Sequence, residues 1–203
     1  MDVFHYHLVT NKARQVEARY LAKLGFDLVA RYGRIGEDIV SFEQGTSWDD
    51  LDRVAFKLRL TELQLGAVNV VVQPGQWEVP RVDHIGLAFD EDEFAETIER
   101  AQERDLRIQE HGGRRTFVST GAGYRLELHP PRDWLEDLLA ASDRLRLAEL
   151  QLRADDPRAK AAALSEVLGV ESDGGSVEIG DTVVQFVSGG PQGRPELHAE
   201  LLV

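Results

Sequence analysis

One pattern of apolar and polar positions recurs along the chain, and its middle copy, residues 81–130, shows it most clearly. Val82–Phe89 has apolar residues on both faces, which predicts a largely buried strand. A helix should follow from Asp90, which with Glu93 forms a capping-box pattern. Glycine-rich turns then separate short strands, the last of which is Tyr124–His129. The middle copy therefore predicts the order β-α-β-β-β.

The first copy, residues 1–80, has the same order of elements. Periodicity predicts a strand, a helix and three further strands: Val3–Thr10, Lys12–Leu24, Phe26–Tyr32, Asp38–Glu43 and Ala67–Gln73. We interpret residues 46–66 as an insertion between the last two strands. Ser47 and Asp50 predict a capped helix there, although the alternation of Phe56, Leu58 and Leu60 also fits a strand.

A third copy, residues 147–203, follows a linker (132–146) that contains a helix at Trp134–Ala141. It should comprise a strand, a helix begun by Asp156 and Pro157, two strands and one additional terminal strand, Glu196–Val203. The distance from the first strand to the apolar residue after the helix is nearly constant in the three copies: His5 to Phe26, His84 to Leu106 and Glu149 to Val170. This constancy supports an internal repeat.

Composition narrows the function classes. The 203 residues include 36 acidic and 23 basic residues, and the resulting net charge of −13 makes nucleic acid an unfavourable partner. The chain has no cysteine, so disulfides and Cys-ligated metals are excluded. No signal peptide or membrane-spanning stretch is recognisable, and we expect a cytoplasmic protein.

A β-α-β-β-β unit with His84 in its first strand and Glu127 in its last resembles the module of the vicinal oxygen chelate superfamily. That superfamily includes glyoxalase I, extradiol dioxygenases, fosfomycin-resistance enzymes and bleomycin-binding proteins. The resemblance implies an α+β fold in which paired modules form curved mixed sheets with helices on the outer face. An odd third module then needs a partner, within the chain or in another subunit, and we expect a homodimer.

Candidate metal ligands follow from strand periodicity and from this resemblance. His5 and His7 are two residues apart and therefore point to the same face of their strand. If the first two modules pair, His5 or His7 should converge with His84 and Glu127. This set resembles the ligands of extradiol dioxygenases and suits Fe(II), Mn(II), Zn(II) or Ni(II). Aligning the closing strands puts Val71 opposite Glu127, so the first module's closing strand should give no ligand.

Pairing of the second and third modules is the alternative. It would combine His84 and Glu127 with Glu149 and Gln185, a set similar to that of glyoxalase I. His129, beside two prolines, is interpreted as a strand-end residue at the surface.

Two function classes remain open from the sequence. The first is a metal-dependent, glyoxalase-like or dioxygenase-like enzyme that acts on a small oxygen-bearing substrate as a lyase, isomerase or ring-cleaving dioxygenase. The second is a metal-free protein that binds a small molecule, resembling bleomycin-resistance proteins.

Overall fold

The computed structural model describes residues 1–112, 115–121, 123–141, 145–189 and 197–200, the backbone alone for Ala141 and for 197–200. The α+β fold class is confirmed. The strands form two mixed sheets, one of nine strands and one of five, and the helices pack against them. No helix in the described part of the chain is both long and apolar enough to cross a membrane.

The first module has more elements than the sequence pattern predicts. Its elements are β1 (Asp2–Thr10), α1 (Ala13–Lys23), β2 (Asp27–Ile35), β3 (Asp38–Glu43), α2 (Trp48–Arg53), β4 (Lys57–Leu65) and β5 (Val68–Pro74). They lie in the sheet order β3-β2-β4-β5-β1.

The interpretation of residues 46–66 as an insertion is wrong for its second half. Strand β4 pairs antiparallel with both β2 and β5 and buries Thr61 and Leu63, so it is the third strand of the module. In the described part of the chain, strand β3 lies at the sheet edge and pairs with β2 alone. The elements added to the module are therefore β3 and α2, and Ser47 caps α2 as predicted.

A buried ion pair links several elements of this module. Arg31 on β2 donates from Nε and Nη2 to the carboxylate of Glu17 on α1, with an Nη2–Oε1 distance of 2.6 Å. The same carboxylate accepts from Thr61 on β4 and from the indole nitrogen of Trp48 on α2. Because both charges are buried and their hydrogen bonds are formed, the pair fixes four elements relative to one another.

The second module extends the same sheet. It comprises β6 (Arg81–Ala88), α3 (Glu91–Glu103), β7 (Ile108–His111), β8 (Arg115–Ser119) and β9 (Arg125–His129). Strand β6 pairs antiparallel with β1, so the two modules form one sheet in the order β3-β2-β4-β5-β1-β6-β9-β8-β7. Asp90 and Glu93 form the predicted capping box at the start of α3.

The third module forms the separate five-stranded sheet. After α4 (Asp133–Ala141) come β10 (Glu149–Ala154), α5 (Pro157–Leu168), β11 (Ser172–Asp173), β12 (Ser176–Ile179), β13 (Thr182–Ser188) and β14 (Leu197–Glu200), in the sheet order β11-β12-β13-β10-β14. Of the predicted terminal strand Glu196–Val203, residues 196 and 201–203 lie outside the described residues. Strand β14 pairs antiparallel with β10, as β6 does with β1.

The second and third modules meet through helices and not through a shared sheet. Arg100 on α3 donates to the carbonyl oxygens of Val167 and Leu168 at the end of α5. A guanidinium at this position satisfies carbonyl groups that the helix leaves unpaired and complements the helix dipole.

The residues after the three module helices occupy equivalent places. Each backbone N–H bonds to a carbonyl near the end of its helix: Phe26 to Tyr20, Leu106 to Ala101 and Val170 to Ser165. Phe26 is buried, whereas Leu106 and Val170 are partly buried against the same core.

Candidate metal centre

Strand pairing brings the predicted ligands of the first two modules to one face of the nine-stranded sheet. The β1–β6 register places His7 opposite His84 and His5 opposite Gly86. The β6–β9 register places Glu127 beside Gly86. Cross-strand neighbours share a face of a sheet, so the three histidines and Glu127 point to the same side.

Three ligand atoms converge at this point. His5 Nε2 lies 3.2 Å from His84 Nε2, and Glu127 Oε2 lies 3.1 Å from His84 Nε2 and 3.8 Å from His5 Nε2. Ligands about 2.1 Å from one ion are separated by roughly 3.0–3.5 Å in octahedral or tetrahedral geometry. Two of the three separations lie in this range, and the 3.8 Å between His5 and Glu127 requires a ligand–metal–ligand angle wider than tetrahedral. The three atoms therefore fit one divalent cation in a distorted geometry, and two imidazoles with one carboxylate leave further coordination positions open.

His7 adjoins this set without completing it. Its ring centroid lies 4.6 Å from that of His84, and the imidazoles of His5, His7 and His84 offer nitrogens within 4.8 Å of one another. Among the described residues, Glu127 forms ion pairs with His5 and His84 but not with His7. His7 Nε2 is buried and has no hydrogen-bond partner in the described part of the chain.

Asn69 on β5 orients His5. The amide nitrogen of Asn69 donates to the side-chain oxygens of Glu62 (3.0 Å) and Gln64 (3.1 Å), so its oxygen must face His5. That oxygen is 2.6 Å from His5 Nδ1, which therefore donates to it. The other ring nitrogen, Nε2, is left with its lone pair directed at the candidate site.

Asp83 orients His84 in the same way. The Asp83 carboxylate accepts from His84 Nδ1 at 2.7 Å and also from Arg125. Burial by itself raises the pKa of Asp83, but its bonds to His84 and Arg125 outweigh burial and lower it. A carboxylate that holds the far nitrogen of an imidazole is the usual support of a metal-bound histidine.

The pKa shifts of His5, His7 and Glu127 suit metal ligation, whereas that of His84 opposes it. Burial, with the neighbouring His84, lowers the pKa of His5 to about 3 and that of His7 to about 4, so both imidazoles are neutral near pH 7. Burial opposes ionisation of Glu127, but His129 and His84 outweigh it and lower its pKa. Burial lowers the pKa of His84, but Asp83 and Glu127 outweigh it and raise the pKa, so a metal ion has to compete with a proton at this imidazole. Neutral imidazoles and an ionised carboxylate are the forms that bind metal, and the pKa shifts of His5, His7 and Glu127 favour them.

The cluster lies in a cavity of about 1090 Å³, called the cup below, whose lining includes His5, His7, His84, Glu127, His129 and Trp134. Val71 also lines it. His5 pairs with Asn69 and His84 with Arg125 in parallel registers, so Val71 and Glu127 occupy matching positions two residues further on.

The interpretation of His129 as a surface residue is wrong. His129 is 6% exposed, and its Nε2 lies 3.4 Å from Glu127 Oε1. Trp134 on α4 and Phe4 on β1 pack edge-on against its ring, because the helix after the two prolines turns back over the end of β9. Its separation of two residues from Glu127 was the signal in the sequence that both share a face.

The alternative ligand set is also wrong. Glu149 and Gln185 belong to the five-stranded sheet, where the Gln151 amide donates to Glu149 at 2.6 Å and to Gln185 at 3.4 Å. His84 and Glu127 lie in the other sheet, so these four residues do not converge.

No protein-family model and no curated protein matches the sequence. Solved structures match the fold at low identity. One is 2,2',3-trihydroxybiphenyl 1,2-dioxygenase from Sphingomonas wittichii strain RW1, with a TM-score of 0.59 and 13% identity over 95% of this chain and 69% of that one.

Two further structures agree. The Mn(II)-bound glyoxalase from Novosphingobium aromaticivorans has a TM-score of 0.57 and 10% identity over 97% of this chain and 63% of its own. A mutant 4-hydroxymandelate synthase from Streptomyces coelicolor has a TM-score of 0.56 and 18% identity over 92% of this chain and 62% of its own. The chain thus spans 62% to 69% of the length of these three proteins. Its paired β-α-β-β-β modules, together with these matches, show that the chain has the fold of the vicinal oxygen chelate superfamily.

Proposed function

We propose that His5, His84 and Glu127 hold a divalent metal and that the chain is a glyoxalase-like or dioxygenase-like enzyme acting on a small oxygen-bearing molecule. The convergence of two imidazole nitrogens and one carboxylate oxygen within 3.1–3.8 Å carries this proposal. Two histidines and a carboxylate with open positions are typical of non-haem Fe(II) oxygenases, and similar sites take Mn(II), Zn(II) or Ni(II). The Mn(II)-bound glyoxalase and the dioxygenase among the structural matches support the same class.

The residues of this chain prepare the site for such chemistry. A bound divalent metal would supply a Lewis acid that polarises the substrate's oxygens. Asn69 and Asp83 hold His5 and His84 in the tautomers whose Nε2 atoms face the site. Glu127 places one negative charge in a buried position, where its electrostatic attraction to a cation is stronger than it would be in water. The cup encloses a substrate next to these groups and reduces its contact with water.

A metal-free binding protein is the second candidate. Val29, Ile39 and Trp134 are among the exposed large apolar residues and also line the cup. Apolar side chains around a cavity of this size favour binding of a small molecule whether or not a metal is present.

Metal content tests the choice between the two. The protein is purified without chelator, stripped, and titrated under nitrogen with Fe(II), Mn(II), Ni(II) and Zn(II). We expect one ion per chain, lost in both His84→Ala and Glu127→Gln. His111→Ala is the matched control, because His111 is an exposed histidine at the end of β7 and outside the cup. A parent protein that binds no metal, or a double variant of His84 and Glu127 that keeps it, contradicts the enzyme proposal.

We also propose a homodimer that forms along β14. Strands β6 and β14 occupy equivalent positions, because each pairs antiparallel with the first strand of a module. Three further strands lie beyond β6 in the nine-stranded sheet, whereas β14 is an edge of its sheet in the described part of the chain. An unpaired strand edge is a template for pairing with another chain. Deleting residues 197–203 should shift the sedimentation coefficient from dimer to monomer or cause aggregation. An unchanged, soluble oligomer argues against pairing at this edge.

A further inference from the structure

We infer that the cup binds an oxyanion-bearing ligand, a small molecule with an apolar body and a carboxylate, and that Arg34 and Arg59 bind the carboxylate. The inference rests on the proposed function, because it names the substrate class of the same site. Its evidence is separate from the metal ligands and comes from the charges and apolar surfaces of the cup wall.

The cup is rich in positive charge although the chain as a whole has a net charge of −13. Among the described residues, its lining contains four arginines and two acidic residues, Glu62 and Glu127. Glu127 Oε1 lies 3.3 Å from Nε of Arg115, and Glu62 accepts from Asn69. Both carboxylates therefore already have partners within the cup.

The side chains of Arg34 and Arg59 have no such partner among the described residues. Both residues are exposed and line the cavity, and neither guanidinium forms an ion pair or hydrogen bond with another described residue. They lie on neighbouring strands, with Arg34 of β2 opposite Lys57 of β4. An anion bound between two guanidinium groups on adjacent strands is attracted by both, which offsets their mutual repulsion.

Arg59 lies at a register shift between β2 and β4. Tyr32 pairs with Leu60 and Gly33 with Leu58, so Arg59 is the extra residue of a bulge in β4. A bulge changes the direction of side chains along its strand and is frequent next to functional sites. Both arginines belong to the cup lining on the side of the first module.

The apolar part of the ligand is inferred from the wall itself. Ile39 is 72% exposed and lies on β3, a strand that the second module lacks. Together with Val29 on β2 and Trp134 on α4, Ile39 exposes apolar surface inside the cup. Covering this surface with the apolar part of a ligand would be favourable, because it removes the surface from water. The hairpin that the added strand β3 forms with β2 therefore supplies both an arginine and an apolar side chain. A carboxylate suits this place because guanidinium groups bind it in a bidentate manner.

A matched pair of probes tests the inference by calorimetry: 3-phenylpropanoate and its neutral analogue 3-phenylpropanamide. Both are titrated into metal-free and Zn(II)-loaded protein at an ionic strength of about 0.15 M. The carboxylate should bind about tenfold tighter than the amide, as expected of a charge-assisted hydrogen bond. Arg34→Gln and Arg59→Gln should each reduce this ratio, and the double variant should abolish it.

The control is Arg158→Gln, which removes the same charge from an exposed position on α5, outside the cup. It should leave the ratio unchanged, and circular dichroism should show that all variants fold. Equal binding of the two probes by the parent protein, a ratio that persists in the double variant, or an equal loss in Arg158→Gln overturns the inference. If the protein never binds metal but still prefers the carboxylate over the amide, the result supports the ligand inference and contradicts the proposed metal-dependent enzyme. Failure of the inference can therefore be told apart from failure of the proposed function.

Discussion

Gly86 and His5 face each other across β6 and β1 so closely that a methyl group on Gly86 would lie 2.7 Å from His5 Cβ. Glu127 lies on the other side of Gly86, on β9. The missing side chain leaves the space through which His5 approaches His84 and Glu127.

Gly86→Ala should therefore damage the metal centre. The added methyl group displaces His5, and we expect metal affinity to fall by about 10- to 100-fold, with a loss of about 1–3 kcal/mol in unfolding free energy. Metal titration and urea unfolding measure the two effects. Gly175→Ala is the control, because its methyl group would lie 2.9 Å from the Phe186 carbonyl oxygen in the third module. It should cost stability while metal affinity stays unchanged; equal metal affinity in both variants would refute this role of Gly86.

His5 and His7 should differ in their effect on metal binding. His5 Nε2 lies within 3.8 Å of both His84 Nε2 and Glu127 Oε2, whereas His7 forms no ion pair with Glu127 among the described residues. His5→Ala should lose the stoichiometric ion. His7→Ala should keep it with affinity lowered by less than about tenfold, which is below the roughly 10- to 100-fold loss typical of removing a residue that holds a ligand in place. Metal analysis after gel filtration makes the comparison, and the reverse order would assign the ligand role to His7.

Asn69 should act on metal affinity through the tautomer of His5. Asn69→Leu removes the oxygen that accepts from Nδ1, and we expect a loss of about 10- to 100-fold in affinity. Long-range ¹H–¹⁵N spectra of the imidazoles should show His5 no longer held as the Nδ1–H form. Val71→Thr, a nearly isosteric change on the same strand and in the same cup, should alter neither readout. Unchanged spectra in Asn69→Leu would rule out that Asn69 acts through the tautomer of His5.

Glu17 should matter for stability and not for the site. Glu17→Gln leaves the buried charge of Arg31 uncompensated, which typically costs about 3–5 kcal/mol of unfolding free energy. Glu166→Gln breaks an exposed pair with Arg104 and should cost about 0–1 kcal/mol. Urea unfolding gives both values. A cost below about 1 kcal/mol for Glu17→Gln would mean that the pair does not fasten the module.

Much of the fold was predictable because its signals are local. Apolar periodicity and capping residues such as Asp90 and Asp156 mark elements whose bounds agree with the structure to within a few residues. The shared face of His5 and His7 follows from the two-residue period of a strand. The matching positions of Val71 and Glu127 follow from aligning the closing strands of the two repeats. From the chain alone, the repeat, the module order and the candidates His5, His84 and Glu127 could be proposed.

Only the tertiary structure decided which of these candidates meet. Pairing of β1 with β6 brings His5, His84 and Glu127 together, while the separate third sheet removes Glu149 and Gln185. The turn of α4 over β9 buries His129, and pairing with β2 and β5 makes β4 part of the module. Each of these outcomes depends on contacts between residues far apart in sequence, and periodicity within one strand carries no information about which edge that strand will pair with.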